Sequence, residues 1–237
     1  MRRVLVAKAV MGRVELGPRE AHHLRDVLRM AAGAEVEVFD QTGAWGRGRI
    51  VAADGRGVSV EVEEVGRMEV GKCRLTIASA VPKGARADWM IEKLGELGVE
   101  AFVPLTTRRS VVSPKGSGKT DRWKRISEEA ARQSGRSGVM RIEPIMELER
   151  ASQWGRAAGM TLWQLSLREN AVSIPELVPA LPKALMVLVG PEGGWSEEET
   201  AAFESGGIAA VKLTGAVLRV ETAAVVAAGI IIVAGGD

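Results

Sequence analysis

The stretch ALMVLVGPEGG, residues Ala184–Gly194, decides the fold of the second half of this chain. Its first six residues are apolar without interruption, which predicts a buried strand of a parallel sheet. Glycine and proline then form a turn, where missing side chains let the backbone approach a ligand closely. We therefore expect a core strand that leads directly into a ligand-binding loop.

The sequence beyond this turn repeats the same order of elements. Ser196 and Glu199 have the Ser-x-x-Glu spacing of a capping box, which predicts the start of a helix. A second strand is expected over Ile208–Leu213, followed by the loop Thr214–Arg219 and a small-residue helix over Glu221–Val233. Two strands that each lead into a glycine-containing loop and a helix predict a ligand site at the carboxyl ends of parallel strands.

The length and composition favour a folded protein of two domains. The chain has 237 residues, 46% of them apolar, which is enough to bury a sizeable core. Its single cysteine, Cys73, excludes a disulfide framework within the chain and fits a reducing cytoplasm. One cysteine and two histidines are also too few for a structural zinc site, and we expect no metal.

We expect neither a signal peptide nor a membrane span. The basic start Met1–Arg3 is followed only by the short strand-like run Val4–Ala7. The longest apolar run, Ala223–Gly235, has 13 residues, against the ~20 that span a bilayer. We therefore predict a buried helix there and a cytoplasmic protein.

Basic residues are concentrated in two segments, although the net charge is only +2. Residues 105–141 hold ten Lys and Arg against three Asp and Glu, and residues 1–30 hold seven against three. From residue 186 onward the balance reverses, with two basic residues against seven acidic ones. This distribution predicts that a polyanion binds at the two basic segments, although basic surface can also serve solubility alone.

The first domain, residues 1–70, is predicted to consist mostly of strands. Short β-branched segments separated by glycine and aspartate lie at Arg3–Val10, Arg13–Leu16, Glu35–Asp40, Trp45–Ala52 and Val58–Val65. A helix over Arg19–Met30 interrupts them, with Leu24, Val27 and Leu28 on one face. Short strands at such spacing predict a small β-barrel. A shift in composition around Gly66–Lys72 places the domain boundary there.

The second domain, residues 71–237, is predicted to begin with a β-α-β unit. We expect a strand over Arg74–Val81, a helix over Ala85–Leu97 that ends at Gly98, and a strand over Val99–Leu105. An amphipathic helix that returns the chain to a parallel sheet is ordinary α/β construction. By itself, this unit indicates no function.

The segment GSGKT, Gly116–Thr120, looks like the end of a nucleoside-triphosphate P-loop. The motif requires a glycine at the position of Ser113, and the preceding Pro114-Lys115 is typical of a turn and not of a buried strand. We therefore predict a flexible, basic Gly/Ser loop and no nucleotide site.

The helix after this loop is the strongest indication of a nucleic-acid contact. Trp123, Ile126 and Ala130 recur at helical spacing and mark its buried side. Arginines occupy a separate stripe at Arg122, Arg125, Arg132 and Arg136. The planar guanidinium donates two parallel hydrogen bonds to phosphate, so the stripe suits RNA. A solvated helix face with Glu–Arg pairs would have the same pattern.

Two segments of the second domain resemble the signature motifs of the RsmE family. They are LVGPEGGWS, Leu188–Ser196, and LRVETA, Leu218–Ala223, preceded by Val217 where the family commonly has isoleucine. Looser matches are His22–Arg29, where histidines precede Val-Leu-Arg, and Lys83-Gly84 with the following KLGELGV. The family consists of SPOUT-superfamily methyltransferases, which use S-adenosylmethionine to methylate N3 of a uridine in 16S ribosomal RNA.

The resemblance covers both predicted domains and implies their fold. It implies an α/β protein whose carboxyl-terminal domain is a parallel-sheet SPOUT domain with a deep trefoil knot. It also implies that a small PUA-like RNA-binding β-barrel precedes this domain, and that the protein is a homodimer acting on the small ribosomal subunit. Nothing in the periodicity of the sequence indicates the knot or the dimer.

The resemblance and the loop positions together predict the residues around the cofactor. The cofactor-binding residues are Gln164, Leu165, Leu188, Val189, Gly190, Pro191, Glu192, Gly193, Gly194, Leu213, Gly215, Leu218 and Thr222. Arg219 is predicted to stabilise negative charge on the carbonyl oxygens that flank N3 of the uracil. Glu221 is a second catalytic candidate, as the proton acceptor, although an acid at a helix amino terminus also stabilises the helix.

Basic and polar residues in both domains are predicted to contact RNA. They are Arg3, His22, Arg25, Arg29, Lys83, Arg86, Arg108, Arg109, Arg122, Arg125, Arg132, Gln133 and Arg136. Arg25 and Arg29 are four residues apart and would share a helix face, whereas His22 could equally be an ordinary surface residue. Two alternatives remain: a non-catalytic ribosome-assembly factor, and a SPOUT methyltransferase that acts on another RNA.

Overall fold

The structure, a computed structural model, describes residues 1–54, 57–68, 71–110, 117–136 and 138–236. The chain divides into two compact units. The first consists of Met1–Glu69 together with Glu128–Val139, and the second consists of Val70–Ser127 and Met140–Asp237. The segment Glu128–Val139 is far in sequence from the rest of the first unit, and a single boundary near residue 70 does not include it.

A five-stranded sheet forms the first unit. Its strands are β1 (Arg2–Leu5), β2 (Gly12–Glu15), β3 (Glu35–Phe39), β4 (Ala44–Asp54) and β5 (Gly57–Arg67). They lie in the order β1-β3-β4-β5-β2, and only the β1–β3 pair is parallel. Alternating residues such as Val36, Val38, Val60 and Val62 point into one buried cluster, as expected for strands with one face in a core.

The helix predicted over residues 19–30 is shorter and partly of another type. Helix α1 covers Pro18–His22 and continues as a π-helical turn over His23–Val27. In this turn the Leu28 N–H donates to the His23 carbonyl, five residues back, so side chains shift from their α-helical positions. Leu24 is buried, but Val27 is 58% exposed, and its predicted place on the apolar face is wrong.

An eight-stranded parallel sheet forms the second unit. Its strands are β6 (Arg74–Ala80), β7 (Ala101–Thr106), β8 (Arg141–Ile142), β9 (Met146–Glu147), β10 (Thr161–Leu165), β11 (Val172–Ser173), β12 (Ala184–Val189) and β13 (Ala209–Lys212). The order is β11-β13-β10-β12-β6-β7-β8, with β9 also paired to β7. The predicted strand at residues 184–189 is therefore confirmed as a central strand, and all six of its residues are buried.

Helices cover both faces of this sheet. They are α2 (Ala85–Leu97), α3 (Ser117–Ser134), α4 (Leu148–Ala157), α5 (Ile174–Leu177), α6 (Glu197–Ser205) and α7 (Val220–Ala234). Leu185, Val187 and Val189 of β12 pack with residues of α2 and α7, whereas Met186 and Leu188 pack with residues of α4 and α6. A strand buried on both faces has to be apolar throughout, which explains the sequence of β12.

The helix bounds test two predictions from the sequence. Helix α2 has the predicted bounds and ends at Gly98, which adopts a left-handed φ of 87°. The flexible loop predicted over Gly116–Thr120 is wrong for Ser117–Thr120, which form the first turn of α3. Residues 111–116, including the rest of that loop, lie outside the described residues. None of the described helices is both long and apolar enough to cross a membrane.

Candidate functional site

A cavity of about 560 Å³ opens at the carboxyl ends of β10, β12 and β13 in the second unit. Strand β10 pairs with both β12 and β13, so the loops that follow these three strands converge. The walls come from Leu165–Arg168, Val189–Trp195, Leu213–Thr214 and Ala216–Arg219, with Thr200 of α6 and with Val220 and Ala223 of α7. The volume falls in the range of about 300–1,000 Å³ typical of small-molecule sites, at the edge where ligands bind in parallel sheets.

The glycine turn after β12 forms one wall of the cavity. The Gly194 N–H donates to the Pro191 carbonyl at 2.8 Å, and Gly194 has a φ of 70°. A side chain at Gly194 would be strained in this left-handed conformation. At Gly190 a Cβ atom would lie only 3.0 Å from the Trp195 ring. The turn therefore requires glycine at two positions for two different reasons, conformation and space.

Trp195 connects the turn after β12 to the end of β10. Its indole N–H donates to the Leu165 carbonyl at 3.0 Å. Its ring meets Phe203 of α6 edge to face, with 5.0 Å between ring centroids. The hydrogen bond fixes the distance between two walls of the cavity, and the aromatic contact holds both walls against α6.

The amino terminus of α6 is held by the predicted capping box. The Ser196 N–H donates to the Glu199 carboxylate at 2.8 Å, and the Glu199 N–H donates to the Ser196 hydroxyl at 3.1 Å. Glu199 also accepts the Arg108 N–H at 2.9 Å, from the loop after β7. The neighbouring Glu198 has a lowered pKa, caused first by the Ser196 hydroxyl, then by its own N–H and the positive charge of Arg108.

Most of the predicted cofactor-binding residues line the cavity. They are Leu165, Val189, Gly190, Pro191, Glu192, Gly193, Gly194, Leu213 and Leu218. Among the described residues, Gln164, Leu188, Gly215 and Thr222 are not part of the lining. Gln164 and Leu188 are buried within the strands, where alternate side chains point to opposite faces of the sheet.

Several lining residues were not predicted from the sequence. They are Ser166, Leu167, Arg168, Trp195, Thr200, Thr214, Ala216, Val217, Val220 and Ala223. Trp195 and Val217 stand within or beside the two motifs that resemble the RsmE family, so those motifs carried the signal for them. Leu167 and Arg168 lie in a turn that matches no strong motif, and only the pairing of β10 with β12 brings them to the cavity.

The two predicted catalytic residues have different surroundings. Arg219 lines the cavity and is the residue just before the first turn of α7. Glu221 lies in that first turn and is buried, with one carboxylate oxygen 3.5 Å from the Arg86 guanidinium. In the part of the chain that the structure describes, its other oxygen has no hydrogen-bond partner, and Glu221 is not part of the cavity lining.

In the first unit, several predicted RNA contacts are engaged within the protein. Arg3 pairs with Glu37 at 2.6 Å, donates to two backbone carbonyls and lies over the Phe39 ring. Arg132 pairs with Glu20 at 2.7 Å and is only 13% exposed. Arg25 is held by the Asp26 carboxylate, and these hydrogen bonds lower the pKa of Asp26 to about 2.

Two predictions about arginines that share a helix face are wrong. Arg29 lies beyond the π-helical turn and has a φ of 52°, so it does not share a helix face with Arg25. Arg136 follows the end of α3 at Ser134, and Gly135 has a φ of 76°, so the arginine stripe is shorter than predicted. In both cases a left-handed residue turns the chain away from the helix axis.

The remaining predicted contacts are exposed or half-buried. His22 and Gln133 are exposed in the first unit, although His22 is 2.6 Å from Asp26. In the second unit, Lys83, Arg108, Arg109, Arg122 and Arg125 are exposed, and Arg86 is half-buried. Arg122 pairs with Asp88 at 2.8 Å, whereas Arg109 donates to the Gly193 carbonyl of the cavity wall at 2.9 Å.

The fold and the cavity are those of an RNA methyltransferase. Residues 69–232 match the RNA methyltransferase domain family, and residues 16–63 match the RNA methyltransferase PUA domain family. Ribosomal RNA small subunit methyltransferase E of Bacillus subtilis is 31% identical over 86% of this chain and 83% of its own length. The Mycobacterium bovis protein of the same name is 33% identical over 89% of this chain and 82% of its own length.

The solved structures agree with the sequence relatives. Ribosomal RNA small subunit methyltransferase E from Neisseria gonorrhoeae, bound to S-adenosyl methionine, has a TM-score of 0.86 and 26% identity, covering 98% of this chain and 96% of that one. The chain belongs to the ribosomal RNA small subunit methyltransferase E family. The family resemblance and the α/β fold class with its amino-terminal PUA-like domain are therefore confirmed, whereas the knot stays a prediction.

Proposed function

We propose that the protein transfers a methyl group from S-adenosylmethionine to N3 of a specific uridine in the decoding region of 16S ribosomal RNA. The proposal rests on the cavity, whose lining includes the glycine turn after β12, the loop after β13 and Arg219. The relatives from Bacillus subtilis and Mycobacterium bovis are named for methylation of this RNA, and the Neisseria gonorrhoeae structure holds the cofactor.

The residues of the cavity fit an adenosyl group. Leu165, Leu213 and Leu218 provide apolar side chains for an adenine ring, and the glycine turn provides backbone groups without side chains in front of them. Glu192 also lines the cavity and would attract the positively charged end of the cofactor. When bound, S-adenosylmethionine supplies an electrophilic methyl group on a sulfonium.

The protein contributes orientation and electrostatics to the reaction. The three converging loops hold the uracil ring and the cofactor in alignment, which removes much of the entropic barrier. In this proposal Arg219, which lines the cavity, stabilises the negative charge that the uracil carbonyl oxygens carry in the N3-deprotonated form. The burial of Glu221 beside Arg86 supports its helix-stabilising role over the role of proton acceptor.

We assign RNA binding to exposed basic and polar residues in both units and to the PUA domain. In the second unit, Lys83, Arg108 and Arg125 are exposed and carry this proposal, as do His22, Arg29 and Gln133 in the first. Arg3 and Arg132 are not retained, because their guanidinium groups are occupied by protein carboxylates. A homodimer that acts in the cytoplasm on the small ribosomal subunit completes the proposal.

A methylation assay tests the proposal directly. Purified protein and labelled S-adenosylmethionine are incubated with free 16S RNA or with small subunits from a strain that lacks the gene, and nucleosides are identified by mass spectrometry. We expect 3-methyluridine at one site of the incubated RNA, and none at this site in RNA from the strain that lacks the gene before incubation. Cofactor binding without any methylated product would favour an assembly factor, and another methylated nucleoside would indicate a different RNA target.

A further inference from the structure

The loop after β7 is a compact turn that its own side chains hold in place. The Thr107 N–H donates to the Ser110 hydroxyl at 3.0 Å, and the two hydroxyl groups lie 2.8 Å apart. The Ser110 N–H also donates to the Thr107 carbonyl at 3.2 Å. These hydrogen bonds fix the two residues between them, Arg108 and Arg109, relative to the end of β7.

Two hydrogen bonds connect this turn to the wall of the cavity. The Arg108 N–H donates to the Glu199 carboxylate at 2.9 Å, and Glu199 is only 7% exposed. The Arg109 guanidinium donates to the Gly193 carbonyl at 2.9 Å. A Cβ atom at Gly193 would lie 3.3 Å from the Arg109 Cβ, so the Gly193 backbone packs closely against the Arg109 side chain.

Gly193 lies between the turn's closing residue, Gly194, and the cavity-lining Glu192. Rotation of the peptide that follows Gly193 would move its carbonyl and the Gly194 N–H, which closes the turn on Pro191 at 2.8 Å. Glycine imposes little resistance to such rotation, because it has access to most of φ/ψ space. A donor that holds the Gly193 carbonyl therefore restricts the most permissive part of this wall.

We infer that Arg109 is a positioning residue of the methyl-donor cavity, which it preorganises through the Gly193 carbonyl. The inference rests on the proposed function, since it requires that the cavity receives S-adenosylmethionine. Arg109 is not among the described residues that line the cavity, so it acts through the turn and does not touch the cofactor. Its place in a basic segment of the sequence had predicted an RNA contact instead.

The two roles of Arg109 differ in what they require. A phosphate contact contributes only when RNA is present, and its loss lowers the salt dependence of RNA binding by about 0.7 to 0.9 in logarithmic slope. A positioning role acts on cofactor affinity in the absence of RNA. It leaves kcat at saturating cofactor near the wild-type value, because no interaction specific to the transition state is lost.

The test uses the full-length protein with Arg109→Met, Arg109→Lys and Arg150→Met. The methionine variant keeps the apolar stem and removes the donor, and the lysine variant keeps a charged donor. Arg150 is the matched control, because it is exposed on α4 and is neither a proposed RNA contact nor part of the cavity lining. Calorimetry gives the Kd for S-adenosylmethionine without RNA, and initial rates give the cofactor KM and kcat.

We expect Arg109→Met to weaken cofactor binding by roughly fivefold, the loss for one hydrogen bond from a charged donor at a partly exposed site. Arg109→Lys should have a cofactor Kd between those of this variant and the wild type, and Arg150→Met should bind the cofactor normally. An unchanged cofactor Kd for Arg109→Met, with or without a lower salt slope for RNA, overturns the inference. Failure of the wild type to bind S-adenosylmethionine would instead refute the proposed function.

Discussion

The Arg86 guanidinium lies 3.5 Å from a carboxylate oxygen of Glu221 and so joins the first turns of α2 and α7. The carboxylate is buried at the positive end of α7, whereas the guanidinium is partly exposed. An acid in the first helical turn is stabilised by the helix dipole, and the arginine offsets part of its desolvation. The pair therefore has a structural role beside the cavity.

Glu221→Gln should destabilise the protein and leave catalysis nearly intact. We expect a loss of about 1 kcal/mol in the free energy of unfolding, because the dipole and ion-pair contributions disappear. Arg86→Met should cost a similar amount, and the double variant should cost less than the sum, since both changes remove one interaction. Urea unfolding measures these values. A hundredfold loss of kcat in Glu221→Gln, with a changed pH–rate profile, would show that Glu221 is the proton acceptor.

Arg219→Ala should lower turnover far more than cofactor affinity. The guanidinium borders the cavity, where it would stabilise charge that develops only in the transition state. Loss of one such group costs about 10²-fold in kcat. Lys212→Ala removes a cation from the strand that precedes the same loop and serves as the control. Equal losses in kcat and in cofactor affinity for Arg219→Ala would mean that this role is misassigned.

Substitution of two glycines tests whether the backbone conformation at Gly194, and not the space around it, requires glycine. Alanine at Gly194 or at Gly215 would meet no atom within 4 Å, but only Gly194 has a left-handed φ, of 70°. Gly194→Ala should therefore destabilise the turn by about 1 kcal/mol and weaken S-adenosylmethionine binding, because an L-residue is strained in this conformation. Gly215→Ala should be close to neutral. Thermal unfolding and calorimetry check both variants, and equal effects would contradict the strain argument.

Trp195→Phe should remove the hydrogen bond between two walls of the cavity while keeping an aromatic ring in the adjacent core. Phenylalanine keeps an aromatic ring near Phe203 but cannot donate to the Leu165 carbonyl. We expect a stability loss of about 1 kcal/mol, the net value of a typical hydrogen bond, and weaker cofactor binding. Trp89→Phe is the control, because Trp89 is a partly exposed residue of α2. Unchanged cofactor affinity in Trp195→Phe would show that the two walls hold their distance without this bond.

The buried Asp40 in the first unit should make stability depend on pH. Burial acts to raise the pKa of Asp40, but hydrogen bonds from Ala9, Thr42 and Ala44 outweigh it, and the pKa is lowered. A lowered folded-state pKa means that the stabilisation is present above the unfolded value of about 3.9 and is lost as pH falls through the folded value.

Asp40→Asn should therefore destabilise the protein by about 1–3 kcal/mol at pH 7, because one acceptor group becomes a donor among buried N–H groups. The difference in the free energy of unfolding between variant and wild type should become smaller as the pH falls below about 4. Urea unfolding at a series of pH values measures this difference, with Glu61→Gln on exposed strand β5 surface as the control. A difference that stays constant down to acid pH would refute this account.

The sequence by itself determined many of the elements and the position of the cavity. The apolar run of β12, the periodicity of α2 and the capping box at Ser196 are local patterns, and the structure has each of them at the predicted place. The glycine turn was also predicted, because glycine and proline directly after an apolar strand are typical of a turn. Nine of the thirteen predicted cofactor-binding residues line the cavity, since loops after neighbouring parallel strands must converge.

Only the tertiary structure decided which basic residues stay exposed and which form contacts within the protein. Arg3 finds Glu37, Arg132 finds Glu20 and Arg109 finds the Gly193 carbonyl, all across large separations in sequence. A local pattern of charges cannot reveal such partners, because they meet only after the sheets have formed. The trefoil knot stays a prediction. The spacing of side chains in the sequence indicates which face of a helix or strand a residue occupies, but only the folded structure shows which residues that face contacts.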